Sequence, residues 1–249
     1  MDLISSPLTA SEAGLAARIA GVRSAISAAA ARARREPTDV KLVGVTKTVP
    51  AAVVYAAAQL GLTRFGENRV QEALPKIAEV ANLATPDERS RIKWHFIGHL
   101  QANKARLAVE KFATIESVDS LRLAQTLDRL AREYSQRLPV LLEVNIGEEA
   151  SKYGFRPAEL PDVYPELLGL AGLQIRGLMT VAPQVSTPEE ARPYFRRLRE
   201  LRDRLRCENP VADLPELSMG MSGDYPIAIE EGATLVRVGR AIFGERLTA

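Results

Sequence analysis

Val40-Lys41-Leu42-Val43-Gly44-Val45-Thr46-Lys47-Thr48-Val49-Pro50 is the stretch whose reading decides the fold. Val40 to Val45 is short, mostly apolar and rich in β-branched residues, with Pro37 before it and Pro50 after it. A run of that length without alternation reads as a strand of a parallel sheet, covered on both faces. Lys47 stands at its end, and the alanine-rich segment from Ala51 reads as a helix with Pro50 near its first turn. An amine at the carboxyl end of an inner strand can be partly desolvated, which enlarges its neutral, nucleophilic fraction. It can equally snorkel to solvent as an ordinary strand-end lysine. This stretch alone leaves both readings open.

Seven more strand signals follow, around residues 63–68, 92–98, 114–120, 139–145, 174–180, 216–219 and 234–238. Helix signals separate them: 51–60, from the Gly66-Glu67-Asn68 turn through about Val80, 99–111, from Asp119 or Ser120 to about Arg137, after Pro157, and 188–206. Thr85-Pro86-Asp87 reads as a polar connection. An additional helix over 9–35 precedes the first strand, with Leu15, Ile19, Val22 and Ile26 on one face and Arg32, Arg34 and Arg35 at a solvated end. Eight alternating β and α units in 249 residues, with no second compositional regime, predict a single (β/α)8 TIM barrel over 1–249 with an N-terminal helix. The first βα turn lacks the glycine fingerprint of an open dinucleotide-binding sheet.

Composition narrows the function classes. Lys and Arg total 33 against 31 Asp and Glu, so bulk charge gives no case for nucleic acid or a membrane surface. No long apolar span and no basic leader are present, and Cys207 is a lone cysteine, so the expectation is a cytoplasmic protein. His95 and His99 have helical metal spacing, but they straddle a strand end and Gly98, so no metal site is expected. Gly44 to Thr48 echoes a P-loop but has Thr46 where that motif requires glycine. The arginines of 188–206 flank a stripe of Phe195, Leu198, Leu201 and Leu205, with Glu200 and Arg204 spaced as an ion pair, which predicts an outer helix rather than an RNA surface.

In a barrel, chemistry gathers at the carboxyl ends of the strands, and phosphate sits at the loops after strands seven and eight. Those loops read Ser218-Met219-Gly220-Met221-Ser222-Gly223-Asp224 and Arg237-Val238-Gly239-Arg240-Ala241-Ile242-Phe243-Gly244. Both are glycine-bearing turns into helix starts, where backbone N–H groups approach an anion closely and Ser222 adds a hydroxyl. They serve equally as ordinary βα turns. Arg237, inside the eighth strand, needs a buried acceptor: a carboxylate such as Glu67 or Glu143, or a ligand atom.

Lys47, Gly66-Glu67-Asn68, the run from Trp94 through His95, Phe96, Ile97, Gly98, His99, Leu100, Gln101, Ala102 and Asn103 to Lys104, and the two glycine turns together identify a resemblance. The chain resembles the pyridoxal phosphate homeostasis family (the YggS/PROSC group) from about residue 10 to 246. The resemblance implies a barrel like that of the alanine racemase N-terminal domain, with pyridoxal 5′-phosphate held as an imine on Lys47. It implies that Ser222 and the backbone of Gly239 and Arg240 hold the phosphate, that Arg237 faces the pyridine nitrogen, and that Asn68 lies beside the ring. Position 240 is often a small hydroxyl residue in such proteins, and here it is Arg240. An always-protonated arginine at the ring nitrogen makes a weak electron sink. Racemases of similar barrel type add a β domain for which no residues remain here.

The function so implied is a non-enzymatic carrier or buffer of the cofactor in vitamin B6 homeostasis, acting as a monomer, with pyridoxal phosphate and the apoenzymes that depend on it as expected partners. The alternatives are a pyridoxal phosphate-dependent amino-acid racemase or decarboxylase, with His95 or Tyr225 as second base, and a lysine-dependent sugar-phosphate aldolase.

Overall fold

The computed structural model describes residues 10–244, with side chains from residue 12 onward. The N-terminal stretch considered for a leader lies outside the described residues. Eight parallel strands follow one another round a closed barrel, each hydrogen-bonded to the next. They are β1 (Lys41–Val45), β2 (Arg64–Glu67), β3 (Lys93–Phe96), β4 (Thr114–Val118), β5 (Leu138–Glu143), β6 (Leu173–Met179), β7 (Glu216–Ser218) and β8 (Leu235–Val238). β8 returns to β1 in register Lys41 to Leu235 through Gly44 to Val238, which closes the sheet and leaves no edge strand.

The helices are α1 (Ala10–Arg32), α2 (Ala51–Gln59), α3 (Val70–Leu83), α4 (Pro86–Arg91), α5 (Ala105–Lys111), α6 (Leu121–Glu133), α7 (Leu160–Leu168), α8 (Arg192–Glu208), α9 (Tyr225–Glu230) and α10 (Arg240–Phe243). The apolar shell between strands and helices is continuous: Phe65, Trp94, Phe96 and Ile115 from the strands meet Val54, Val80, Val109, Leu127, Phe195 and Leu198 from the helices. The stripe of Phe195, Leu198, Leu201 and Leu205 is buried, as its spacing predicts. α6 starts where Ser120, the better of its two expected caps, accepts a hydrogen bond from the Leu123 N–H.

Four sequence expectations need correction. The Thr85-Pro86-Asp87 connection begins a helix, α4, because Thr85 and Glu88 form a reciprocal capping box with Pro86 at the first turn. The helix expected from His99 begins only at Ala105. Residues 98–101 form no helix, and here Ser117 Oγ donates to the Gly98 carbonyl and His99 pairs with Asp119. Arg204 pairs with Glu208 rather than Glu200. The basic end of α1 is not merely solvated: Arg35 donates to the carbonyls of Ile229 and Ala233, and Arg32 pairs with Glu230, which ties α1 to α9. Leu15, Ile19, Val22 and Ile26 are all buried. Among the described residues no helix is long and apolar enough to cross a membrane.

Candidate functional site

Lys47 follows β1 by two residues, so it emerges at the carboxyl mouth of the barrel, where it is half-buried. The backbone around it is tightly specified. Thr46 is fully buried, its N–H bonded to the Gly66 carbonyl at 3.0 Å and its own carbonyl accepting from the Val49 N–H at 2.9 Å. Thr48 has φ 67°, a left-handed conformation that costs a β-branched residue more than most, and its hydroxyl donates to the Lys47 carbonyl at 2.6 Å. Such strain persists only where the surroundings over-determine it, and here it turns the chain sharply after Lys47.

Arg237 lies inside the barrel, 3% exposed. Its Nη1 donates to Ser218 Oγ at 2.5 Å and its Nη2 to the Thr180 carbonyl at 2.7 Å. Ser218 Oγ donates in turn to Glu116 Oε2, and Glu116 Oε1 meets His95 Nδ1 at 2.6 Å. The chain of contacts therefore runs from β8 through β7 and β4 to β3, across the barrel interior. This corrects the expected partners of Arg237. Glu67 faces away and pairs with Lys76, and the nearest carboxylate in the network, Glu116, is reached only through a hydroxyl.

The charges here adjust one another. Burial pushes the Arg237 guanidinium below the usual arginine range, while Glu116, Glu143 and Asp224 oppose that shift. It still carries its charge, as arginine does in proteins. Burial pushes Glu116 up, but hydrogen bonding and charge at His95, then Arg237 and Ser218, hold it below the ordinary carboxylate range. Glu143, at the end of β5, goes the other way: burial and then Asp119 raise it to about 7, against the pull of Arg237. Its Oε2 is buried without a hydrogen-bond partner.

A cavity of about 960 Å³ opens above this network. Lys47, Ser222, Arg237, Gly239 and Arg240 all line it. Ser222 Oγ accepts from the N–H groups of Gly239 and Ala241 at 3.3 and 3.4 Å, long contacts that leave those donors open to a stronger acceptor. The turn that presents Ser222 depends on Gly220, at φ 89°, where an added Cβ would stand 2.6 Å from that of Ala228. The Arg240 side chain is exposed. Asn68 is not on the cavity wall, but its Oδ1 is buried and unpartnered. Gly98 packs directly on it, for a Cβ at 98 would stand 2.3 Å from the Asn68 carbonyl oxygen.

Several contributors to this region escaped the sequence reading. Lys152 and Glu149 form an ion pair on the cavity wall, and the loop from Val181 to Pro188 supplies much of its far side. Glu116 and Ser218 were also missed, although a carboxylate in the middle of the Thr114–Val118 strand signals a buried charge in need of a partner. His99 stacks on Tyr153, with ring centroids 3.6 Å apart. No group of three or more His, Cys, Asp or Glu among the described residues is arranged to hold a metal ion.

Residues 22–247 match the alanine racemase N-terminal domain family. A pyridoxal phosphate homeostasis protein of Aquifex aeolicus is 44% identical over 229 residues, covering 92% of this chain and 97% of that protein. The chain belongs to the pyridoxal phosphate homeostasis family. The Escherichia coli protein of the same name is 38% identical, covering 93% of this chain and 97% of its own length. The structure of PipY from Synechococcus elongatus with PLP bound superposes with a TM-score of 0.80 at 41% identity, over 92% of this chain and all of that one. An alanine racemase of Clostridium difficile shares the fold alone, with a TM-score of 0.68 at 15% identity, and this chain covers 58% of it.

Proposed function

We propose that this protein binds pyridoxal 5′-phosphate, carries or buffers it through a covalent bond to Lys47, and takes part in intracellular vitamin B6 homeostasis without turnover of its own. The observation that carries this reading is the convergence of Lys47, Arg237 and the Ser222, Gly239 and Arg240 turns on one cavity. The residues present suit the group. Its aldehyde supplies reactivity toward a primary amine, its phosphate a dianion and its ring nitrogen a hydrogen-bond acceptor.

In this reading Lys47 provides the amine from a sharply turned strand end. The Ser222 hydroxyl and the N–H groups of Gly239, Arg240 and Ala241 take the phosphate, with Ser222 exchanging its long internal contacts for shorter, charge-assisted ones. Arg237 stands at the ring nitrogen as a fixed cation, already bonded to neutral oxygens of Ser218 and Thr180. A cation there opposes protonation of the ring and weakens it as an electron sink, which favours storage over carbanion chemistry. The buried, unpartnered Asn68 Oδ1 is the remaining polar atom of the expected set. The partners in this reading are the cofactor and apoenzymes that need it, met by a cytoplasmic monomer built as a single domain.

The test is the absorption spectrum of the purified protein with pyridoxal phosphate, followed by borohydride reduction and peptide mapping. A visible band that bleaches, with a pyridoxyl mass on the peptide containing Lys47, is expected, and Lys47→Ala abolishes both. An adduct confined to another lysine, such as Lys152, rejects the assignment of Lys47. Deuterium uptake at Cα of added amino acids under steady turnover rejects the carrier reading in favour of a racemase.

A further inference from the structure

Behind Lys47, between the barrel wall and α3, lies an ion pair that the site described above does not use. Lys76 projects from α3 toward the ends of β1 and β2 and is buried. Its Nζ donates to Glu67 Oε1 at 2.7 Å and to the Thr46 carbonyl at 2.6 Å. The same Glu67 oxygen accepts the Thr46 hydroxyl at 2.7 Å, while Glu67 Oε2 is buried with no hydrogen-bond partner.

We propose that Lys76 is a positioning residue for Lys47: its ammonium, neutralised by Glu67, grips the carbonyl of the preceding residue and fixes the direction in which Lys47 leaves β1. The inference rests on the reading of Lys47 as the cofactor-binding lysine.

Every polar atom of Thr46 is engaged. Its N–H goes to Gly66, its hydroxyl to Glu67, and its carbonyl receives both the Val49 N–H and the Lys76 ammonium. Downstream, Thr48 holds a left-handed conformation that needs such over-determination to persist. A clamp on one side and a strained turn on the other leave the peptide bearing Lys47 a single exit direction.

The identity of the clamp residue also needs explaining. Val70, Ala73 and Val80 make the buried face of α3 apolar, and a leucine at 76 would continue it without desolvating a charge. An apolar side chain, however, cannot reach a carbonyl and a carboxylate at once. The ammonium, with three donors on a long stem, can.

The test compares the wild type with the double variant Glu67→Gln/Lys76→Met, which removes both charges and keeps the volumes. The first readout uses protein free of cofactor. Lys47 is reductively methylated with formaldehyde and cyanoborohydride, and its rate is referenced by peptide mapping to exposed Lys93. A changed Lys47 rate with Lys93 constant is expected. The second readout is borohydride-trapped pyridoxal phosphate at Lys47, whose affinity should fall about tenfold, the scale of a small misplacement of a reacting group.

A merely structural role would lower the melting temperature and leave both readouts unchanged in the folded protein, and that result overturns the proposal. If the double variant does not fold, Lys76→Arg decides by the same readouts. It keeps the charge but not the single-point reach, so an unchanged Lys47 rate there also overturns the proposal. If wild-type protein traps no cofactor at Lys47 while the methylation rate shifts as expected, the cofactor reading fails and the positioning role stands.

Discussion

Lys76 and Arg237 are both buried cations, and the barrel holds them in opposite ways. Lys76, on the outer face of the wall, touches its carboxylate directly, with Glu67 Oε1 at 2.7 Å. Arg237, inside the barrel, touches a hydroxyl and a carbonyl, and Glu116 is reached only through Ser218. A direct pair cancels its own field at short range. A cation bonded to neutral dipoles keeps more of its field for whatever lies above it, and above Arg237 lies the cavity. One cation thus stiffens the frame, and the other remains available to a ligand.

The sharpest way to break this contrast is to truncate each cation and measure stability by denaturant unfolding. Lys76→Met leaves the buried Glu67 side chain without its partner, so the expected loss is about 3–5 kcal/mol, most of it recovered when Glu67→Gln is added. Arg237→Met should cost less, about 2–3 kcal/mol. Glu116 keeps its bonds to His95 and Ser218, and the cavity lets water approach the vacated end. Equal losses at the two sites, or no recovery in the double variant, would erase the distinction between a closed pair and an open cation.

The same contrast explains what could be read from the sequence. The barrel was legible because eight short strand signals alternate with helix signals, and period is a local property. That Lys47, Ser222, Gly239 and Arg240 would line one cavity was legible because strand ends and glycine turns mark where a barrel gathers its chemistry. Partnerships were not. Glu67 sits one residue from Asn68 in a turn that reads as part of the site, yet strand alternation sends its side chain to the outer face, toward Lys76. The Ser218 to Glu116 contact spans 102 residues and crosses the barrel, which no local pattern encodes. One signal for Lys76 was present: it interrupts the stripe of Val70, Ala73 and Val80, where a lysine needs a buried counterion.

Glu143 offers the finest test, through pH. If Glu143 itself closed Arg237 off in a direct ion pair, it would ionise as readily as an ordinary glutamate. Instead burial and Asp119 raise it to about 7, and Arg237 only partly offsets them. The native state then holds a proton that the unfolded chain releases near pH 4.3. Stability from this group is therefore fully present below that pH, declines as pH rises toward 7, and is absent above it. The full effect has an upper limit of about 3.7 kcal/mol, which water entry and relaxation reduce to roughly 1–2 kcal/mol. Glu143→Gln cannot ionise, so its stability relative to wild type should rise between pH 5 and pH 8, when both are followed by urea unfolding at each pH. A difference that stays flat across that range would mean that Glu143 is already a carboxylate paired with Arg237. The interior cation would then be as closed as Lys76, and its field would not be left to the cavity.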